Sequence, residues 1–336
     1  AAAAVAALSF TALPCPGACE RVVSIADLHG DFRHAMVMLQ AAGLAEEGND
    51  NLQGPDGRPF ALYKGVRWIG GNTTLVQTGD MVDRGAYARD LYALFAELRR
   101  QAPAAGGRVV NLIGNHDLMC MQGDLRYVSQ EDQEQFGGSS ARRAAFAPTG
   151  WVGRQILEEF RTAFLAGETL YVHAGLLEAH VKDGLDALDE EFRKQLRASI
   201  SSGSVEGALL KASGPLWIRR LAEQPERSVC SAVAKVLKRM GARRMVLGHT
   251  QVEDGVVRPR CGGRVLMADT IIGKAGYPMC WQEGSMQVAG CQGSLSFVEI
   301  RDGEAQAVRV PPLGSPVGAA LEEVPLPIVG GGAGEL

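Results

Sequence analysis

The chain has 336 residues, 46% of them hydrophobic and 21% charged, a balance that supplies a sizeable core and excludes a disordered polyelectrolyte. Its formal net charge of −4 argues against a nucleic-acid binder, and no stretch reaches the roughly 20 apolar residues that cross a bilayer. Seven cysteines, an odd number spread over a long chain, do not read as a disulfide framework, although Cys15 and Cys19 stand close enough to pair.

Residues 1–19 open with an apolar, Ala-rich run from Ala1 to Ala12, with no starting Met and no basic residue ahead of it. They read as a disordered end or the remnant of a targeting segment and are set outside the fold. Arg21 to Ile25 is a β-branched run. It is followed by a helical pattern with Phe32, Met36 and Leu39 on one face. Leu44 to Asn72 is rich in Gly, Asn and Pro and is expected to hold a hairpin around Val66 to Ile69, since structureless loops of that length are rare. Thr73 to Gln77 predicts a strand, and the next helix carries Tyr87, Leu91, Leu94, Phe95 and Leu98 on one stripe. Arg108 to Ile113 predicts a third strand. A later helix is expected to bury Trp151, Ile156, Leu157, Phe160 and Phe164. Leu170 to Val172 and Met245 to Leu247 continue the alternation.

The last hundred residues change character. Val256 to Met267, Ser285 to Ala289 and Leu295 to Val310 predict antiparallel strands between Gly turns. From Pro311 the chain turns Pro- and Gly-rich and reads as a flexible tail over 311–336. The expected organisation is one catalytic domain over 20–310, an α/β core joined by a second β element.

Five predicted strands are followed at once by short polar motifs: Asp27-Leu28-His29-Gly30, Gly79-Asp80-Met81-Val82-Asp83-Arg84-Gly85, Gly114-Asn115-His116-Asp117, His173-Ala174-Gly175-Leu176 and Gly248-His249-Thr250. Ligands of open α/β sheets sit outside the carboxyl ends of the strands, where such loops converge. Imidazole with carboxylate suits divalent ions such as Mn, Fe or Zn. The expected assignment is Asp27 and His29 on one metal, Asn115, His173 and His249 on a second, and Asp80 on both. Two cations about 3.5–4 Å apart need a shared anion and together lower the pKa of bound water. A bridging hydroxide is the expected nucleophile.

Arg84 has the planar fork that grips two phosphate oxygens. His116 is expected to be the general acid, with Asp83 orienting its other nitrogen. Hydroxide is expected to attack phosphorus in line, without a covalent phosphoenzyme. Each motif alone has a bland reading. Asp80, Asp83 and Asn115 fit tight turns, a histidine after a strand is more often structural than a ligand, and Arg84 could form a surface ion pair. Five motifs in order, each at a strand end, outweigh these. His34 and His180 read as solvated side chains.

These motifs resemble the phosphoprotein phosphatase family of metallophosphoesterases. Gly114 to Ser129 and Gly214-Pro215-Leu216-Trp217 are similar to its Shewanella-like protein phosphatase branch. The resemblance implies a calcineurin-like fold, a central β-sandwich flanked by helices, with a dimetal centre. It also implies hydrolysis of phosphoserine or phosphothreonine esters, with phosphotyrosine open. It makes Arg219 or Arg220 a second phosphate contact beside Arg84 and Asn115. Ala26, Asp117 and Ala174 depart from its usual residues without removing a ligand. The expected partner is a phosphoprotein, with no nucleic acid and no membrane. The expected location is soluble, organellar or cytoplasmic. The rival readings are a dinucleoside polyphosphate hydrolase of the same superfamily and a non-catalytic phosphoprotein-binding scaffold.

Overall fold

A computed structural model describes residues 21–48, 53–62, 64–282, 290–311 and 320–327. Cys15, Cys19 and the strand expected at Ser285 to Ala289 lie outside them. In chain order the elements are β1 (Arg21–Ile25), α1 (Phe32–Ala41), β2 (Ala45–Glu47), β3 (Val66–Trp68), β4 (Thr74–Gln77), α2 (Ala88–Gln101), β5 (Arg108–Asn111), and four helices, α3 (Asn115–Met121), α4 (Gln130–Gln135), α5 (Ser139–Phe146) and α6 (Trp151–Glu158). Then come β6 (Ala163–Ala166), β7 (Thr169–Val172), α7 (Leu185–Ser202), α8 (Arg220–Glu223), α9 (Glu226–Met240), β8 (Arg244–Leu247), β9 (Arg258–Arg260), β10 (Val265–Met267), β11 (Leu295–Arg301), β12 (Glu304–Val310) and β13 (Glu322–Pro325).

Two sheets form the centre. One runs β13-β12-β11-β1-β4-β5 and the other β6-β7-β8-β10-β9, with β2-β3 as a separate hairpin. Within the first, β1, β4 and β5 are parallel; within the second, β7, β8 and β10 are parallel. Each parallel set therefore delivers its carboxyl ends to one edge. The two sheets meet at the bridge between Leu112 and Arg161, closed by hydrogen bonds from Ile113 N–H to Arg161 O and from Arg161 N–H to Asn111 O at 3.0 Å each.

Strand alternation sorts the core. Tyr171, Val246 and Leu266 are register partners and join the central cluster between the sheets. Their flanking residues, Leu170 and Val172, Met245 and Leu247, Val265 and Met267, join the opposite cluster, as a two-residue period requires. That outer cluster is covered by α9 through Val229, Val233, Val236 and Leu237, whose burial is worth about 1.5–3 kcal/mol each. The helix carries Glu226 in its first turn and Lys238 and Arg239 in its last, matching its dipole, and ends at Gly241 with φ 63°.

Four expectations change. Phe164 lies on β6, not on the face of α6, because the chain leaves the helix at Glu159 and turns back to pair with β7. Four of the seven cysteines form disulfides, Cys230–Cys261 and Cys280–Cys291, and Cys120 is a buried free thiol. Separations of 31 and 11 residues carry no pattern in sequence; the packing of α9 on β9, and of the segment after β10 on the start of β11, makes the pairs. His34 is buried rather than solvated, its Nδ1 2.7 Å from Ile272 O, with its ring 4.6 Å from that of Trp281. Within the stretch read as a tail, Glu322–Pro325 pairs with β12 as an edge strand. No helix among the described residues is long and apolar enough to cross a membrane.

Candidate metal centre

The loops after β1, β4 and β5 are laced together by backbone. Leu28 and His29 N–H donate to Asp80 O at 3.0 and 2.9 Å, Gly30 N–H to Met81 O at 2.9 Å, and Gly85 N–H to His29 O at 2.9 Å. His116 N–H donates to Asp80 Oδ1 at 2.8 Å. The lacing holds an unfavourable backbone: His29, Asp80, Asp83, Arg84, His249 and Ile271 all have φ between 44° and 72°. Such angles cost of order 1–3 kcal/mol each and persist where surrounding structure over-determines them. Two glycines make room for carboxylates. A Cβ on Gly114 would sit 2.1 Å from Asp80 Oδ1, and one on Gly248 2.3 Å from Asp27 Oδ1.

The six expected metal ligands, with Asp83 and His116, converge and are all buried, while Arg84 is half-buried and Arg219 exposed. His29, Asp80 and His116 form one tight donor cluster; Asp80, His173 and His249 form another, so the two share Asp80. Asp80 Oδ2 lies 3.8 Å from His29 Nε2, 3.5 Å from His173 Nε2 and 4.0 Å from His116 Nε2. His29 Nδ1 meets Val82 O at 3.1 Å and His173 Nδ1 meets Thr78 O at 2.9 Å. That arrangement turns each Nε2 lone pair inward, the orientation imposed on metal-binding imidazoles. Asn115 Oδ1 is 2.9 Å from His173 Nε2. Asp27 accepts the His249 N–H at 3.1 Å on both oxygens, beside the buried, unpartnered Thr78 Oγ1. The mixed imidazole and carboxylate donors around a shared carboxylate, with glycines opening the space, fit a pair of divalent cations.

Electrostatics divides the histidines. Burial pushes His29 down to about 3, with Arg84 adding to it, and burial also lowers His173 and His249. These three stay neutral, as metal ligands must. His116 moves the other way: burial opposes it, but Asp80 and Asp83 outweigh burial and raise its pKa. Its Nδ1 stands 2.7 Å from Asp83 Oδ2 and its Nε2 3.3 Å from Arg84 Nη2. The carboxylates divide as well. Burial, then Asp269 and Asp80, push Asp27 well up; burial, then Asp80, push Asp117 to about 7.

Arg84 is flanked by two rings, its guanidinium 4.6 Å from the Tyr277 centroid and 5.9 Å from that of Tyr127. Arg219 reaches the centre, donating to His249 O at 3.1 Å. Arg220 is exposed at the start of α8 and has no hydrogen bond or ion pair with these groups among the described residues. The sequence reading missed Asp269, the acid just past β10. It is buried, pushed up to about 6 by that burial, and accepts Ile271 N–H at 3.1 Å. Its position after a strand was the available signal. Tyr127 and Tyr277 carried none.

A fold of this kind, two sheets delivering His, Asp and Asn to one edge, defines a metallophosphoesterase. The model of the calcineurin-like phosphoesterase family matches residues 20–253, and the chain belongs to that family. It is 34% identical over 255 residues to protein C1840.07c of Schizosaccharomyces pombe, covering 74% of this chain and 72% of the relative. It is 26% identical over 299 residues to Shewanella-like protein phosphatase 2 of Arabidopsis thaliana, covering 76% of this chain and 72% of that one. The cold-active protein-tyrosine phosphatase of a psychrophilic Shewanella superposes with a TM-score of 0.63 at 22% identity, over 86% of this chain and 77% of that chain. The chain is thus a phosphatase of the metallophosphoesterase superfamily and a homologue of the Shewanella-like protein phosphatases. The family normally works with two metal ions, and candidate ligands for both are in place.

Proposed function

We propose that the chain hydrolyses phosphate monoesters on phosphoproteins, phosphoserine and phosphothreonine first and phosphotyrosine as an open alternative, without a covalent phosphoenzyme. Asp27, His29 and Asp80 would hold one divalent cation, and Asp80, Asn115, His173 and His249 the other. When bound, the pair offsets the buried carboxylates, polarises the phosphate and makes hydroxide available near neutral pH. Mn, Fe and Zn all suit the donors.

The remaining roles belong to side chains. Arg84, fixed between Tyr127 and Tyr277, and Arg219, tied to His249 O, present fixed charge to the phosphate oxygens. Asn115 stands beside them as a further phosphate contact. As the bond from phosphorus to the leaving oxygen breaks, His116 gives its proton to that oxygen, and Asp83 on Nδ1 keeps Nε2 aimed at it. The observation that carries this reading is the shared Asp80, joining two histidine clusters directly beside the Asp83–His116–Arg84 group. The protein names of relatives, a Shewanella-like protein phosphatase and a protein-tyrosine phosphatase, support a phosphoprotein substrate over a nucleotide.

The test is a substrate panel run with metal analysis. Phosphoserine, phosphothreonine and phosphotyrosine peptides are compared with diadenosine tetraphosphate on protein of measured metal content. Two ions per chain and preferred turnover of a peptide are expected. Preference for the dinucleotide would overturn the substrate class and leave the centre standing. Loaded protein that turns over neither would make it a scaffold.

A further inference from the structure

Asp83 is fully buried, and only one of its oxygens is occupied by His116. The other, Oδ1, accepts the Cys120 thiol, Sγ to Oδ1 3.4 Å. Behind the thiol stands Arg142, whose Nη2 donates to Cys120 Sγ at 3.5 Å and lies 3.9 Å from Asp83 Oδ1. Arg142 is itself clamped. Its Nε donates to Asp132 Oδ2 at 2.8 Å, and its guanidinium lies over the rings of Phe146 and Phe136 at 4.6 and 5.5 Å. Asp132 in turn accepts Ala88 N–H at 3.1 Å, at the start of α2. The series Ala88–Asp132–Arg142–Cys120–Asp83–His116 crosses from α2 through α4, α5 and α3 to the acid pair, and Arg142, Asp132 and Asp83 are each at most 1% exposed.

We infer that Arg142 and Cys120 are positioning residues that fix the rotamer of Asp83 and, through it, the direction in which His116 Nε2 points. The inference rests on the proposed acid role of His116 with Asp83. A carboxylate held at one oxygen can still pivot about its last torsion, which is broad and soft. Holding the second oxygen removes that pivot. The Cys120 thiol holds it, and Arg142 can donate to that sulfur and to Asp132 together because its donors are set in a rigid fork; lysine, a single point of charge, must choose. A buried cation between two carboxylates also costs desolvation that simple packing would not require, so its placement behind the acid pair is informative.

The variants are Arg142→Lys and Cys120→Ala, which keep the charge and roughly the volume, each made in the wild-type and Asp83→Asn backgrounds. Each is assayed with its metals on a phosphoserine peptide, whose alkoxide leaves poorly, and on p-nitrophenyl phosphate, whose leaving group needs little protonation. Loss of general acid alignment should lower kcat about tenfold on the peptide and about twofold or less on the aryl ester, with KM and metal content unchanged. In the Asp83→Asn background the same substitutions should add nothing, because there is no carboxylate left to align. Equal losses on both substrates, additive losses in the Asp83→Asn background, or wild-type kcat in both variants would overturn the inference. If Asp83→Asn itself is selective for the peptide while Arg142→Lys and Cys120→Ala match wild type, the acid pair stands and the positioning claim alone fails. If Asp83→Asn shows no leaving-group selectivity, both fail.

Discussion

The two sheets contribute to the centre in different ways. The first sends three loops, after β1, β4 and β5, which carry Asp27, His29, Asp80, Asp83, Arg84, Asn115 and His116 and are laced by backbone hydrogen bonds around Asp80. The second sends single residues, His173, His249 and Asp269 after β7, β8 and β10, plus Arg219. Its loops have fewer such ties, and one disulfide lies on its side, joining α9 to the turn after β9, while the other joins the segment just past Tyr277 to the lead-in of β11 in the first sheet. A half dense in polar loops can be held by hydrogen bonds alone. A half that offers single candidate ligands from long excursions benefits from a covalent tie such as Cys230–Cys261.

The largest break is expected where the halves meet. Asp80→Asn removes the charge that both donor clusters share and should lower kcat/KM about a thousandfold or more, with loss of both ions. Two ions and normal turnover by metal analysis and kinetics would show that the halves do not depend on Asp80. His116→Asn acts on the first half only. It should cost about 10²–10⁴-fold in kcat with metal content kept; loss of metal would make His116 a ligand instead.

The covalent ties are expected to act on stability. Replacing Cys230 and Cys261 by serine opens a loop of 31 residues and should cost about 3–4 kcal/mol in denaturant melts, with the activity of the folded protein retained. The Cys280–Cys291 pair closes 11 residues and should cost about 3 kcal/mol. There KM should also rise, since Tyr277 O accepts the Cys280 N–H and the Tyr277 ring covers Arg84. An unchanged KM would separate this tie from the site.

The buried carboxylates are tested by pH in chelated protein. In the metal-free fold Asp117 stands near 7 and Asp269 near 6, against 3.8 for an ordinary aspartate. Between those values the folded chain holds protons that the unfolded chain releases, so each carboxylate lowers stability as pH rises, while the lowered His29, His173 and His249 act the other way up to 6.5. Asp117→Asn removes one carboxylate and leaves the histidines, so the chelated variant should gain stability relative to the wild type as pH rises from about 4 to 7. A difference between the two melts that stays constant with pH would contradict the raised, buried carboxyl. The smallest contrast compares neighbours. Arg219→Ala should cost about tenfold or more in kcat/KM, and the exposed Arg220→Ala less than about twofold.

Much of the first sheet's contribution was legible because ligand, turn residue and strand end are adjacent in sequence. Gly79 to Gly85 holds Asp80, Asp83 and Arg84 in seven residues, and the positive φ of three of them explains why the motif is so punctuated. Asp269 obeyed the same rule after β10 but stood without a neighbouring histidine or glycine. Phe164 misled because an apolar residue at helical spacing also fits a strand, and only pairing with Tyr171 decides. The chain from Asp83 to Cys120, Arg142 and Asp132 had no local signature at all.

The amino-acid order determined the strand ends, the ligand types and the alternation that separates the two core faces, since these follow from chain-local geometry and side-chain chemistry. The fold alone decided which histidine is raised while three are lowered, and which cysteines meet. Those outcomes depend on distance, burial and neighbouring charge between residues remote in the chain, and only packing sets them.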